Sequence, residues 1–236
     1  MTEAEGTQDT LATCFWGAGT ESPSPAPPAT SSRHLSDSLP ASETVRISLR
    51  FDGMRVVLLA GSVVSIGRNR GCCIIPPQVE EGDERGRRLR LRVSRYHCEI
   101  LRSSDGWRIR DGVCVGPEKF HRSSFGTWWA GCPVVDEIAI GAEPGILSLG
   151  GASVGDSVAF DVRMIAQSLL LKPRQAKDEA YVLLDGSAPL SLVDGRLADV
   201  FVEWCPDGFG WRIGAKRGRL TPGTDVPDWK VKAWVE

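Results

Sequence analysis

The texture that begins at Val45 constrains the fold more than anything else in the chain. From there on, short apolar runs rich in Val and Ile are each cut off by Gly, Asp or Pro. RISLRF alternates, VVLLAGSVVSIG is nearly continuous, and CCII, YHCEILR, GWRIRDG, DEIAIG and VAFDVRMI follow. Side chains branched at Cβ lose little freedom on a pleated, half-buried surface, so such runs suit strands. None of them sustains a 3.6-residue period over three turns, so no substantial helix is expected. Many short strands separated by turn residues predict an all-β sandwich or barrel.

The flanks read differently. Between Glu21 and Ser42 lie five prolines, from Pro23 to Pro40, and almost no large apolar residue. Such a segment buries too little surface to offset its ordering entropy, so residues 1–44 are expected to be a disordered Pro/Ser-rich tail. The strand-rich domain is placed at 45–166. A linker is expected over 167–178, around Lys172-Pro173-Arg174-Gln175-Ala176-Lys177, and then a small β-rich C-terminal subdomain over 179–236. That last part echoes the first. Val57-Leu58-Leu59 before Gly61-Ser62 matches Val182-Leu183-Leu184 before Gly186-Ser187, and Asp105-Gly106-Trp107-Arg108-Ile109 resembles Asp207-Gly208 with Trp211-Arg212-Ile213. The matches mark either a degenerate partial repeat or chance similarity among strands.

One loop carries dense charge. Glu80, Glu81, Asp83 and Glu84 precede Arg85, Arg87, Arg88, Arg90 and Arg92. It reads either as a solvated, self-neutralising insertion or as an arginine rim for an anion, because guanidinium forks match phosphate geometry.

Composition excludes several classes of function. A formal net charge of -2 makes no electrostatic case for nucleic acid or membrane as partner. No stretch approaches the ~18 apolar residues of a spanning helix, and MTEAEGTQDT lacks the pattern of a signal peptide, so a cytoplasmic protein is expected. Seven cysteines without a C-x-x-C pair predict free thiols and no metal site. With no P-loop, metal-ligand cluster or kinase signature, neither a cofactor nor catalysis is expected.

The informative constellation is Gly67-Arg68, then Ser94-Arg95-Tyr96-His97, then Asp111-Gly112, then Ser123-Ser124-Phe125-Gly126-Thr127-Trp128-Trp129-Ala130-Gly131. Binding a phosphate needs cationic and hydroxyl donors converging on one point, and loops at one pole of a β scaffold can supply them. Each residue also has a plain structural reading. Arg68 reads as an ordinary surface arginine, Ser94 as a turn cap, His121 as a loop residue and Trp107 as core. Ser94, His97 and Asp111 invite comparison with a catalytic triad, but no Gly-x-Ser-x-Gly elbow accompanies them.

The order Gly-Arg, Ser-Arg-x-His, a Trp-x-Ile-x-Asp strand and a Ser-x-Gly-Thr turn resembles the forkhead-associated (FHA) domain family across roughly Val45 to Ala166. The resemblance implies a sandwich of about eleven strands that binds phosphothreonine peptides. It implies that Arg68 binds the phosphate, Ser94 donates its hydroxyl to it, Arg95 flanks the ligand and Ser124 adds a contact. Gly67, His97, Gly126 and Thr127 would be structural, with His97 bridging loops. Two positions depart from the family pattern. Phe125 stands where the family has an Asn that holds the peptide backbone, and Ala130 replaces a second Asn before Gly131. Losing a peptide anchor costs ~1–3 kcal/mol if nothing replaces it.

The expected function is therefore a phosphothreonine-peptide adapter in Ser/Thr kinase signalling. Its partner would be another phosphothreonine-containing protein or its own tail, which carries Thr7, Thr10 and Thr13. The alternative is a phosphorylation-independent scaffold with a degenerate site.

Overall fold

Strand-forming sequence becomes strand almost throughout the computed structural model, which describes residues 44–51, 54–77, 83–116, 119–189, 200–205, 208–221 and 231–234. The expected tail and its threonines lie outside the described residues. The first elements are β1 (Val45–Phe51), β2 (Met54–Ala60), β3 (Val63–Ile66), the helix α1 (Glu84–Arg92), β4 (Cys98–Ser103) and β5 (Gly106–Asp111). Short strands follow: β6 (Val113–Cys114), β7 (Phe120–His121), β8 (Thr127–Trp129), β9 (Cys132–Pro133) and β10 (Glu137–Ala139). Then come β11 (Gly145–Leu149), β12 (Val158–Ile165), β13 (Ser168–Pro173), β14 (Glu179–Leu184) and β15 (Ser187–Pro189). The chain continues with β16 (Val200–Cys205), β17 (Gly208–Ile213), β18 (Lys216–Arg219) and β19 (Val231–Trp234). The protein is all-β, and β1 to β12 fall inside the expected domain, close to the eleven strands anticipated.

A nine-stranded sheet in the order β19-β1-β2-β14-β13-β12-β11-β8-β9 forms the middle layer. One face packs on the sheet β10-β5-β4-β3, burying Leu59, Ile66, Ile100, Trp107, Ile109, Leu147, Phe160 and Leu171 in one core. Part of the other face packs on β15-β16-β17-β18, where Leu58, Leu170, Val182, Val202, Phe209 and Trp211 form a second core. The largest element of the first core is Trp107, whose indole N–H donates to the Gln167 carbonyl at 2.8 Å. A strand buried on both faces has no polar side to alternate with. That is why MRVVLLA and EAYVLL read as nearly continuous apolar runs, and these two strands pair in parallel, Tyr181 opposite Val57.

Two expectations are corrected. Residues 167–178 are not a linker: Ser168–Pro173 is β13, paired with β12 and β14 in the middle sheet. Its Leu169 and Leu171 enter one core and Leu170 the other, so the run is held by burial on both sides. The charged insertion also contains a helix, α1, capped by Asp83, whose carboxylate accepts from the Gly86 N–H at 2.9 Å.

The two matched sequence pieces have a clear spatial relation. Val57 and Leu59 face the first core while Val182 and Leu184 face the second. Each parallel strand then leads into an outer sheet on its own side, and Trp107 and Trp211 occupy opposite cores. Between β8 and β9 the two-residue turn holds Ala130 at φ 48° and Gly131 at φ 82°. A left-handed pair of this kind favours Asn-Gly, and Ala in the first position costs ~1 kcal/mol.

Candidate functional site

Backbone bonds tie three loops together at one end of the first sandwich. The Arg68 N–H donates to the Ser94 carbonyl at 3.1 Å, Asn69 N–H to the Arg95 carbonyl at 2.9 Å, and His97 N–H to the Ile66 carbonyl at 2.9 Å. The approach is close enough to require Gly67: a Cβ there would lie 2.3 Å from the Arg95 carbonyl oxygen. The third loop joins through the Ser124 N–H, which donates to the Ser94 hydroxyl oxygen at 2.8 Å.

Arg68 is half-buried, and its Nε–H donates to the Val93 carbonyl. That bond fixes the plane of the guanidinium and leaves the two terminal nitrogens without a partner among the described residues. Ser94 lies one residue beyond Val93. Its oxygen already accepts from Ser124, so its own O–H remains to donate. Arg95 and Ser124 are exposed beside it, and Phe125 is 54% exposed at the tip of the turn.

The turn is shaped from below by Asp111. One of its carboxylate oxygens accepts from the Ser123 and Thr127 hydroxyls, each at 2.6 Å. The Ser123 oxygen in turn accepts from the Gly126 N–H at 2.9 Å, closing a turn in which Gly126 takes φ 79°. The cost of that conformation is small only for glycine.

His97 is fully buried and spans two loops. The Ser94 N–H donates to its Nδ1 at 2.9 Å, and because a backbone N–H can only donate, Nδ1 is the unprotonated nitrogen. Nε2 therefore carries the hydrogen and donates to the Gly126 carbonyl at 3.0 Å. The ring is a neutral bridge rather than a general base, since it meets the backbone of Ser94 and not its hydroxyl. Burial pushes its pKa down from 6.5 to about 4, against opposing contributions from the Gly126 bond and the Asp111 charge.

A pH dependence follows. The unfolded chain protonates this histidine near pH 6.5, the folded protein only near 4. Stability from neutral His97 is thus complete above pH 6.5 and declines as pH falls toward 4, by about 3 kcal/mol in all. Urea unfolding at pH 7 and pH 4.5 should show the decline, and His97→Gln should flatten it. An identical slope in the variant would assign the pH effect elsewhere.

The structure brings Arg68, Ser94, Arg95, Ser124 and Phe125 to one end of the sandwich, with Gly67, His97, Gly126 and Thr127 supporting them. Asp111, read in the sequence only against a catalytic triad, and Ser123, read only as a possible phosphate donor, both organise the turn; a Ser three residues before a glycine was the available signal. His121, in β7, pairs with Val113 of β6 and stacks on Tyr96, ring centroids 5.5 Å apart. Trp129 packs against the first core and Trp128 is half-buried, so neither is a free stacking platform. Beside the turn, a groove of about 590 Å³ is lined by Arg110, Asp111, Phe120, Arg122 and Val135.

Among the described residues no group of three or more His, Cys, Asp or Glu side chains could hold a metal ion, and no helix is long and apolar enough to cross a membrane. Residues 64–143 match the FHA domain family. An NMR-based structure of the FHA-2 domain from a Mycobacterium tuberculosis ABC transporter is similar at 21% identity. The match covers 48% of this chain and 76% of that one, with a TM-score of 0.28. No curated protein sequence matches the chain.

Proposed function

Taking residues 64–143 as an FHA domain, an interaction module rather than an enzyme, we propose that the chain is a phosphothreonine-peptide-binding adapter acting in Ser/Thr kinase signalling. The observation that carries this reading is the state of Arg68. Its guanidinium is anchored through Nε to the Val93 carbonyl, one residue before Ser94, and both terminal nitrogens stay uncommitted among the described residues. A phosphate placed there meets a bidentate fork and an O–H donor, the strong charge-assisted pairing that a dianion recruits. Arg95 and Ser124 are exposed on the adjoining loops, and their side chains supply further donors there. The ligand is a phosphothreonine-bearing segment of another protein or of the chain's own tail.

The exposed Phe125 favours a second reading, a scaffold that binds its partner without phosphate. Pull-down with and without phosphatase treatment separates the two. Partners released by dephosphorylation support the adapter, and partners retained after it support the scaffold.

A further inference from the structure

The arginine-rich insertion is not a loose charged loop, and its arginines divide into two sets. Arg85, Leu89 and Arg92 lie at i, i+4 and i+7, one stripe of α1. A terminal nitrogen of Arg85 donates to the Gly155 carbonyl at 3.0 Å, and one of Arg92 donates to the Asp156 carbonyl at 3.0 Å. Leu89 packs against the first core between them. These three dock the helix on the β11–β12 connection.

In the second set Arg87 and Arg88 are exposed, and Arg90 is half-buried near the helix C-terminus. Arg87 and Arg88 share the single carboxylate of Glu84, at 2.8 and 3.1 Å, with side chains 66% and 75% exposed. Arg90 has no side-chain partner among the described residues. Three guanidinium charges against one carboxylate leave two uncompensated. Cations near a helix C-terminus offset its dipole, which accounts for Arg90 and Arg92 but not for Arg87 and Arg88.

Position connects this set to the phosphate pocket. α1 runs directly into Val93, whose carbonyl holds Arg68, and into Ser94. With a rise of 1.5 Å per residue, Arg88 sits ~6 Å before the helix end. An extended peptide covers ~3.3 Å per residue, so positions roughly two to four residues from a bound phosphothreonine reach these arginines. The exposed Arg70 and Arg95 extend the same positive rim on the neighbouring loops.

We infer that α1, through the exposed Arg87 and Arg88 and the half-buried Arg90 of its last turn, selects phosphothreonine peptides whose flanks are acidic. The inference rests on the phosphothreonine reading above and adds the ligand's class. The test uses two peptides with the same phosphothreonine centre, one with Asp and Glu on both flanks and one with Ala and Ser, plus their unphosphorylated twins. Each is titrated into the full chain and into Arg87→Gln/Arg88→Gln/Arg90→Gln, which leaves the docking residues Arg85, Leu89 and Arg92 in place.

The wild-type chain should prefer the acidic phosphopeptide about tenfold at low salt, and the preference should shrink at ~0.5 M salt. The triple variant should lose most of that preference while binding the neutral phosphopeptide within twofold of wild type. Equal affinity of wild type for both phosphopeptides, or a preference that survives in the triple variant, overturns the inference. Wild-type binding indifferent to phosphate in both pairs instead overturns the phosphothreonine reading, and this inference with it.

Discussion

Arg68→Ala is expected to weaken binding of a phosphothreonine peptide at least a hundredfold, about 3 kcal/mol, by removing the fork that meets the phosphate. The loss should be one of binding rather than folding. Arg68 is only half-buried, and the backbone bonds that assemble the pocket, Arg68 N–H to Ser94 and Asn69 N–H to Arg95, do not depend on its side chain. The Val93 carbonyl loses one donor, a cost of ~1 kcal/mol. Arg68→Lys keeps the charge but cannot anchor through Nε and present two further donors, so its affinity should fall between wild type and alanine. Calorimetric titration alongside a thermal melt separates the effects. A melt that collapses in step with binding would move Arg68 from ligand contact to scaffold.

The second large effect runs the other way. Phe125→Asn should raise affinity for the same peptide by about ten- to a hundredfold, the counterpart of ~1–3 kcal/mol for an anchoring hydrogen bond supplied to the peptide backbone. The turn already has the required shape. Asp111 holds Ser123 and Thr127, Ser123 holds the Gly126 N–H, and position 125 is exposed at the tip, where an amide can reach a ligand. Because Phe125 lies outside the core, folding stability should change little. If affinity instead falls, Phe125 is itself a ligand contact, and the peptide is gripped by an apolar side chain at this position.

Much of this site was legible because its chemistry is local. Gly67-Arg68, Ser94-Arg95 and Ser123 to Thr127 each place their donors within a few residues, and Gly67 is explained by a single close approach to Arg95. The role of Asp111 and the tautomer of His97 were harder to read. Asp111 reaches partners 12 and 16 residues away, and the tautomer of His97 depends on two loops meeting. The helix α1 escaped the sequence because its inward stripe is two arginines bound to carbonyls around one leucine, which leaves no apolar period to detect. The supposed linker failed for a related reason. Leu169 to Leu171 precede the polar Lys-Pro-Arg-Gln-Ala-Lys stretch; β13 pairs locally with β12 and β14, and the pairing of β14 with the distant β2 is what places this meander inside the middle sheet. Strand order across such distances leaves no trace in local composition.

The central claim is that the Arg68–Ser94 pocket binds a phosphate on threonine. Titrating the full chain with one peptide in its phosphothreonine and unphosphorylated forms tests it most directly. Saturable binding of the phosphorylated form only, abolished by Arg68→Ala, is the expected result. Equal binding of both forms, or phosphopeptide binding untouched by Arg68→Ala, would contradict it.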